Sequence, residues 1–332
     1  MSDGKMQAVV VREYGGPEVL RLEQIDRPVP GAGEALVKIR YASVIPLDWK
    51  IRSGSAHNVF PKTFPYVPGF YASGVIEALG PGVTDFKVGD RVFGAFDGAY
   101  AEYGVAPAVR PDGAENPEGA VPAKALVKMP DGLSFEDAAA IRAGADAAWH
   151  ALFAEGNLQA GQTVLIHAAA GGVGQFAVQL AKWKGARVIA TCSAANADFV
   201  MSLGADEVID YAKTAFAETV KDVDLVIDGV GGETQDRSWA VLKRGGVLVA
   251  LTQPPSREQA EAHGVRATFN YGYPSYEQLL TIAQMIANET LKAKIDSVFP
   301  LGEADKAHAK SESGHGRGRI LLRVGAEDER PS

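Results

Sequence analysis

The stretch Thr163–Thr191, TVLIHAAAGGVGQFAVQLAKWKGARVIAT, decides the fold of this 332-residue chain. It opens on an apolar run, TVLIHA, with the length and β-branched content of a buried strand. Gly171, Gly172 and Gly174 follow where such a strand would turn into a helix. In that helix Val173, Phe176, Ala177, Leu180 and Ala181 recur at spacings of three and four, which puts them on one face. A second strand, ARVIAT, arrives within about thirty residues of the first. Glycine at the turn lets the backbone approach a pyrophosphate, while the helix N-terminus supplies free N–H groups and positive partial charge. Ala169 stands where the first glycine of the usual fingerprint belongs. A lone glycine-rich turn is a weak signal, and here the strand–turn–helix–strand context is what points to dinucleotide binding.

Outward from this unit, the C-terminal side continues as strand DEVID, helix, strand VDLVID, helix and strand GVLVAL. Alternation of that kind predicts a parallel sheet with helices on both faces, an α/β doubly wound domain. The first hundred residues read differently. Short strand-like runs, Gln7 to Arg12, Ala35 to Tyr41 and Ser73 to Ala78, are separated by Gly and Pro clusters and predict an irregular β-rich domain. After about residue 285 come the strand-like SVFP, a polar helix near Glu303 to Ser311 and a closing RILLRV, which we expect to return to the first domain. The segment AVRPDGAENPEGAVPAK, between Tyr103 and Leu126, has no periodicity and reads as an inserted surface loop or a lid.

Composition narrows the function. Lys and Arg number 33 against 41 Asp and Glu, a net charge of −8 that leaves no basic excess for phosphate backbones, so no nucleic-acid partner is expected. No apolar run approaches the roughly 20 residues that span a bilayer, so no membrane partner is expected either. The opening MSDGKMQAVVVREYGG lacks the basic and apolar regions of a signal peptide, and a cytoplasmic location is expected. The single cysteine, Cys192, sits beside Thr191 and Ser193 with no base to activate it and reads as a space-filling side chain. At the end of ARVIAT, where a carboxylate would hold the ribose 2′-OH of NAD, no acid appears until Asp198. This favours NADPH, although no Arg or Lys stands nearby to pair with a 2′-phosphate.

At this point the chain resembles the zinc-independent quinone oxidoreductase family of the medium-chain dehydrogenase/reductase superfamily. HAAAGGVGQFAVQLAK, SLGADEVIDY, DLVIDGVGGE and SGHGRGRILLRV carry the resemblance, together with DWKIRSG, PYVPG, GVTDFKVGDRVFG and AYAEY nearer the start. It covers nearly the whole chain except the segment after Tyr103. The resemblance implies a GroES-like β-rich catalytic domain from residues 1–140 and 286–332 and a Rossmann NADP-binding domain from 141–285. It implies reduction of a quinone, enone or alkenal by NADPH, a small-molecule substrate and a homodimer. By position, Ala170, Gly171, Gly172, Val173 and Gly174 would hold pyrophosphate, Ser193 and Tyr211 the adenosine end, and Leu251 the nicotinamide side. Zinc is not expected: the metal-dependent relatives carry Gly-His-Glu where this chain has Gly69, Phe70 and Tyr71, and one cysteine cannot build a four-cysteine site.

Several positions depart from the family. Ile45 replaces an amide before Pro46, Leu47, Asp48, Trp49 and Lys50, and Gly229 replaces a threonine after Asp228. Arg142 to Ala148 gains two charges, Arg142 and Asp146, which a regular helix would place four residues apart to pair. Ala195 replaces a basic residue beyond the second strand. If reduction is retained, the developing oxyanion needs a donor, for which Lys50 and Tyr71 are the candidates, while Asp48 reads as a structural or orienting carboxylate. The same departures fit a redox-silent cyclase or lyase of a polyketide-like pathway using Asp146 or Tyr71 as acid/base groups, or a non-catalytic NADPH-binding protein.

Overall fold

A computed structural model describes residues 4–108, 126–270, 272 and 274–325, so the irregular segment 109–125 lies outside the described residues. The chain divides into two compact units, one of residues 1–142, 275–290 and 295–332, the other of 143–274 and 291–294. The helix Tyr276–Ala287, which the sequence reading cuts at 285, belongs to the first of these.

In the second unit six strands pair in parallel, in the order Glu207–Asp210, Arg187–Cys192, Thr163–Ile166, Val223–Asp228, Leu242–Ala250 and Arg266–Phe269. Numbered within the unit this is 3-2-1-4-5-6, the doubly wound dinucleotide-binding order, whose direction reverses beside the strand Thr163–Ile166. Val164, Leu165 and Ile166 are fully buried, which is why this strand reads as a continuous apolar run rather than an alternating one. The helix Gly174–Trp183 buries Phe176, Ala177, Leu180 and Ala181, the apolar face anticipated from its spacing, and Val178 as well. Gly245 to Leu251 leaves open, in the sequence, an extension of the sheet to a second subunit. In the structure Leu242–Ala250 is flanked by strands on both sides, and Arg266–Phe269 is the outer strand there.

The first unit is β-rich. Its larger sheet runs Ile295–Pro300, Arg319–Arg323, Glu34–Val44, Tyr71–Leu79, Arg91–Ala95 and Val127–Lys128, with Tyr103–Pro107 also paired to Glu34–Val44. The two ends of the chain meet here: Ile320 lies opposite Val44 and Arg323 opposite Tyr41, antiparallel. Val37, Ile39, Ile76, Val92, Phe96, Tyr100 and Leu322 are among the buried residues of its core. Among the described residues no helix is long and apolar enough to cross a membrane.

Candidate functional site

The glycine-rich turn is built by close approach. A Cβ on Gly174 would lie 2.3 Å from the Ala168 carbonyl oxygen and 2.6 Å from the Ala169 Cα, so only glycine fits where the helix begins. Ala168 takes up a left-handed conformation (φ 53°) to turn the chain out of the strand, and Ala169 N–H is tied to the Thr191 carbonyl at 3.1 Å. The N–H groups of Gly172, Val173 and Gly174 find no acceptor among the described residues. Three unsatisfied donors on the first turn of a helix are what an anionic pyrophosphate requires.

The neighbouring strand ends complete this edge. Ser193 follows the strand Arg187–Cys192 in extended conformation, and Tyr211 follows Glu207–Asp210, its N–H donating to the Cys192 carbonyl at 3.2 Å and its side chain exposed. Leu251 is pinned by its N–H to the Asp228 carbonyl at 2.9 Å. Buried Asp228 shapes the next turn: Oδ1 accepts from the N–H groups of Val230 (3.0 Å) and Gly231 (2.9 Å), and Oδ2 from Gln235 (2.9 Å). Gly229 replaces a threonine where an added Cβ would come within 3.3 Å of the His167 carbonyl and 3.5 Å of the Ala168 side chain. His167 itself is buried between Thr191 Oγ1 (2.9 Å) and Ser238 Oγ (3.0 Å). Burial pushes its pKa down to about 4 against the opposing charge of Asp228, so it is a neutral spacer rather than a base.

The first unit holds a cavity of about 300 Å³ whose lining includes Asp48, Ile51, Lys62, Tyr66, Phe70, Phe96 and Asp97. Asp48 sits in the first turn of the helix Pro46–Arg52, where its Oδ2 accepts from the Ile45 N–H at 2.8 Å and from the Tyr100 hydroxyl at 3.0 Å. The Tyr100 oxygen also meets Nε2 of His308 at 3.2 Å. Oδ1 of Asp48, Nδ1 of His308 and the hydroxyl of Tyr66 are buried without a hydrogen-bond partner among the described residues. Burial pushes the Asp48 carboxyl up to about 7, against the pull of the Ile45 N–H, the Tyr100 hydroxyl and the Arg319 and Lys62 charges. Burial also drives Tyr66 up to about 12 and Tyr100 well above the phenol range, while His308 falls to about 3 through burial and the charge of Arg52. Below about pH 7 the cluster is therefore a set of neutral donors and acceptors, and Asp48 loses its proton as the pH rises through that value.

The residues nominated from sequence are distributed as follows. The cofactor set, Ala170 to Gly174, Ser193, Tyr211 and Leu251, gathers at the ends of adjacent strands of one sheet. Lys50 lies on the helix Pro46–Arg52 with its ammonium 5.7 Å from the Trp49 ring, and it does not line the cavity. Tyr71 opens the strand Tyr71–Leu79 under the Arg142 guanidinium, 5.1 Å from its ring, and is likewise not a lining residue. Asp146 belongs to the second unit, where its Oδ1 accepts from the N–H groups of Gly144 (3.2 Å) and Ala147 (2.7 Å). The regular helix assumed for Arg142 and Asp146 is interrupted by Ala143 at φ 54°. Sequence reasoning missed Lys62, Tyr66, Tyr100 and His308. Tyr66 and Tyr100 stand in the matched runs PYVPG and AYAEY, and Lys62 is a charge set in the Pro- and aromatic-rich run PKTFPYVPG, whereas nothing local marks His308.

With this geometry in hand, comparison with known proteins is direct. Residues 31–131 match the alcohol dehydrogenase GroES-like domain, and residues 203–322 match a family described as zinc-binding dehydrogenase. Together with the doubly wound sheet, these define the medium-chain dehydrogenase/reductase architecture. A quinone-oxidoreductase homolog from the chloroplast of Spinacia oleracea is 32% identical over 338 residues, covering 96% of this chain and 98% of that one. The quinone oxidoreductase structure from Coxiella burnetii aligns with a TM-score of 0.85 at 32% identity, over 97% of this chain and all of that one (100%). A mycobacterial protein solved in complex with NADPH aligns with a TM-score of 0.82 at 33% identity, over 96% of this chain and 99% of that one. The chain belongs to the quinone-oxidoreductase-like family of medium-chain dehydrogenase/reductases.

Proposed function

We propose that the protein is a zinc-independent, NADPH-dependent oxidoreductase that passes hydride to the electrophilic carbon of a quinone, conjugated enone or alkenal. The observation that carries the reading is the turn Ala168–Gly174, where a glycine forced by backbone contact and three unsatisfied N–H groups fit a dinucleotide pyrophosphate. Ser193 and Tyr211 would flank the adenosine end and Leu251 the nicotinamide side. When bound, the reduced nicotinamide supplies the hydride. The absence of a carboxylate at the end of Arg187–Cys192 supports NADPH over NADH, as does the NADPH complex of the mycobacterial relative.

The donor set does not fit zinc. Phe70 stands where a histidine ligand would, the single cysteine is buried in the nucleotide-binding sheet, and no group of three or more His, Cys, Asp or Glu among the described residues is arranged to hold a metal. The oxyanion that forms on the acceptor therefore calls for a protein donor, and Lys50 and Tyr71 are the sequence nominees. The position of Arg266–Phe269 as the outermost strand of the parallel sheet supports the expected homodimer, since that is where a second copy could continue the sheet.

The test is to mix the purified protein with NADPH and follow nicotinamide absorbance across a panel of quinones and enones. Consumption with at least one acceptor is expected. NADPH bound but never consumed would transfer the weight to the redox-silent cyclase or lyase reading, with Asp146 or Tyr71 as the acid/base group, or to a non-catalytic NADPH-binding protein. A fluorescence titration showing no binding of NADPH or NADH would overturn the nucleotide site itself.

A further inference from the structure

We propose that the cavity of the first unit is the acceptor pocket and that Lys62 is its electrophile, holding the acceptor's carbonyl oxygen while the conjugated carbons lie against Tyr66, Phe70 and Phe96. The proposal rests on the hydride-transfer reading for its chemistry, and on the cavity alone for its binding site. Lys62 lines the cavity with its ammonium 5.4 Å from the Tyr66 ring and 5.7 Å from the Phe70 ring. It forms no side-chain hydrogen bond or ion pair among the described residues, which is unusual for a half-buried lysine. Its backbone is held in place, because the N–H of Lys62 donates to the Tyr14 hydroxyl at 3.2 Å and that hydroxyl meets His57 Nδ1 at 2.8 Å.

Asp48 shares the lining with Lys62 and feels its charge, and burial keeps its carboxyl protonated until the pH approaches about 7. Its Oδ2 accepts two hydrogen bonds, and its Oδ1 has no partner among the described residues. The Tyr66 hydroxyl, held neutral and without a partner, is a second donor beside the ammonium. An aromatic-walled cavity of about 300 Å³, in which the Lys62 ammonium makes no hydrogen bond or ion pair among the described residues although the Asp97 carboxylate also lines it, suits a flat, conjugated molecule that becomes negative on oxygen. When bound, NADPH would supply the hydride to the electrophilic carbon and leave as NADP+, and the conjugated electron pairs would shift onto the carbonyl oxygen. The resulting anion is held by the Lys62 ammonium until a proton from water completes the two-electron reduction. Lys50, stacked beside Trp49 outside the lining, lacks this placement.

The experiment compares Lys62→Met, Lys62→Arg and Lys50→Met. With NADPH, reduction of 1,4-naphthoquinone and 2-cyclohexenone should lose about 100-fold in kcat/KM in Lys62→Met, with Lys62→Arg recovering most of it, since one oxyanion donor is typically worth that much. Fluorescence titration should show unchanged NADPH affinity. Without cofactor, 4-nitrophenolate serves as an enolate mimic, and its absorbance titration should show binding at least about 10-fold weaker in Lys62→Met, the loss of one charged hydrogen bond. Wild-type protein that binds nitrophenolate through Lys62 but reduces nothing would sink the hydride reading and leave the pocket standing. Nitrophenolate bound equally by wild type and Lys62→Met, or a larger catalytic loss in Lys50→Met, would overturn the proposal.

Discussion

Replacing Asp48 by asparagine should change how the stability of the protein depends on pH. The folded state keeps the Asp48 proton up to about pH 7, whereas an unfolded chain releases it near the ordinary value of 3.8. Through that window the native state binds more protons, so wild-type stability is greatest below pH 3.8 with respect to this group and falls as pH rises through 7. Integrating the two titrations gives a loss of about 2–3 kcal/mol between pH 5 and 8 from this one carboxyl. Its surroundings do not blur the signal: burial holds Tyr66 and Tyr100 neutral, and His308 has lost its proton by about pH 3. Asparagine preserves an acceptor for the Ile45 N–H and the Tyr100 hydroxyl, and places its NH₂ where Oδ1 now has no partner. Urea unfolding followed by tryptophan fluorescence at pH 5, 6, 7 and 8 measures both proteins. The stability of Asp48→Asn relative to wild type should rise by about 2–3 kcal/mol across that range. A difference that stays flat with pH would refute the assignment of a buried, neutral Asp48.

Gly174→Val forces a side chain against the Ala168 carbonyl and the Ala169 Cα, at 2.3 and 2.6 Å from its Cβ. It should cost about 1–3 kcal/mol of stability and remove nicotinamide binding, and unchanged affinity in a fluorescence titration would refute the cradle. Ala195→Arg restores a cation beyond the second strand and should shift the ratio of NADPH to NADH affinity about 10-fold or more toward NADPH, read from paired titrations. Arg52 is buried and donates to Glu312. Glu312→Gln should therefore destabilise the first unit by about 3 kcal/mol in urea unfolding, with Arg52→Met/Glu312→Gln recovering much of the loss. A single variant as stable as wild type would show that the pair carries no weight.

The nucleotide-binding unit was legible because its evidence is local. Strand, turn and helix succeed one another within Thr163–Trp183, and the same glycine that marks the turn in sequence is the one the backbone contacts demand. The first unit was legible only as a class, because its sheet joins residues such as Val44 and Ile320 that no periodicity links. The same reason hid the Asp48–Tyr100–His308 cluster, whose members come from three distant segments and whose chemistry arises from burial rather than from a motif. Between Arg142 and Asp146 the spacing reads as regular helix, and there the positive φ of Ala143 and the backbone bonds accepted by Asp146 answer to local geometry that spacing does not display. Lys50 drew attention by its place in the matched run DWKIRSG, and the nearness of its ammonium to the Trp49 ring is a property sequence does not display.

The pairing of Arg319–Arg323 with Glu34–Val44 sets an order of events during synthesis. The parallel sheet has all six of its strands once Phe269 has left the ribosome, although its first strand begins only at Thr163. The β-rich unit starts with Lys5 yet lacks two strands of its larger sheet until Ile295–Pro300 and Arg319–Arg323 emerge. The half of the molecule that is made first is thus finished last. Until then the strand Glu34–Val44 carries an open stretch from Tyr41 to Val44, able to pair with another nascent chain. A message truncated before codon 319 would deliver a completed nucleotide-binding sheet joined to a β-rich unit with that stretch still unpaired.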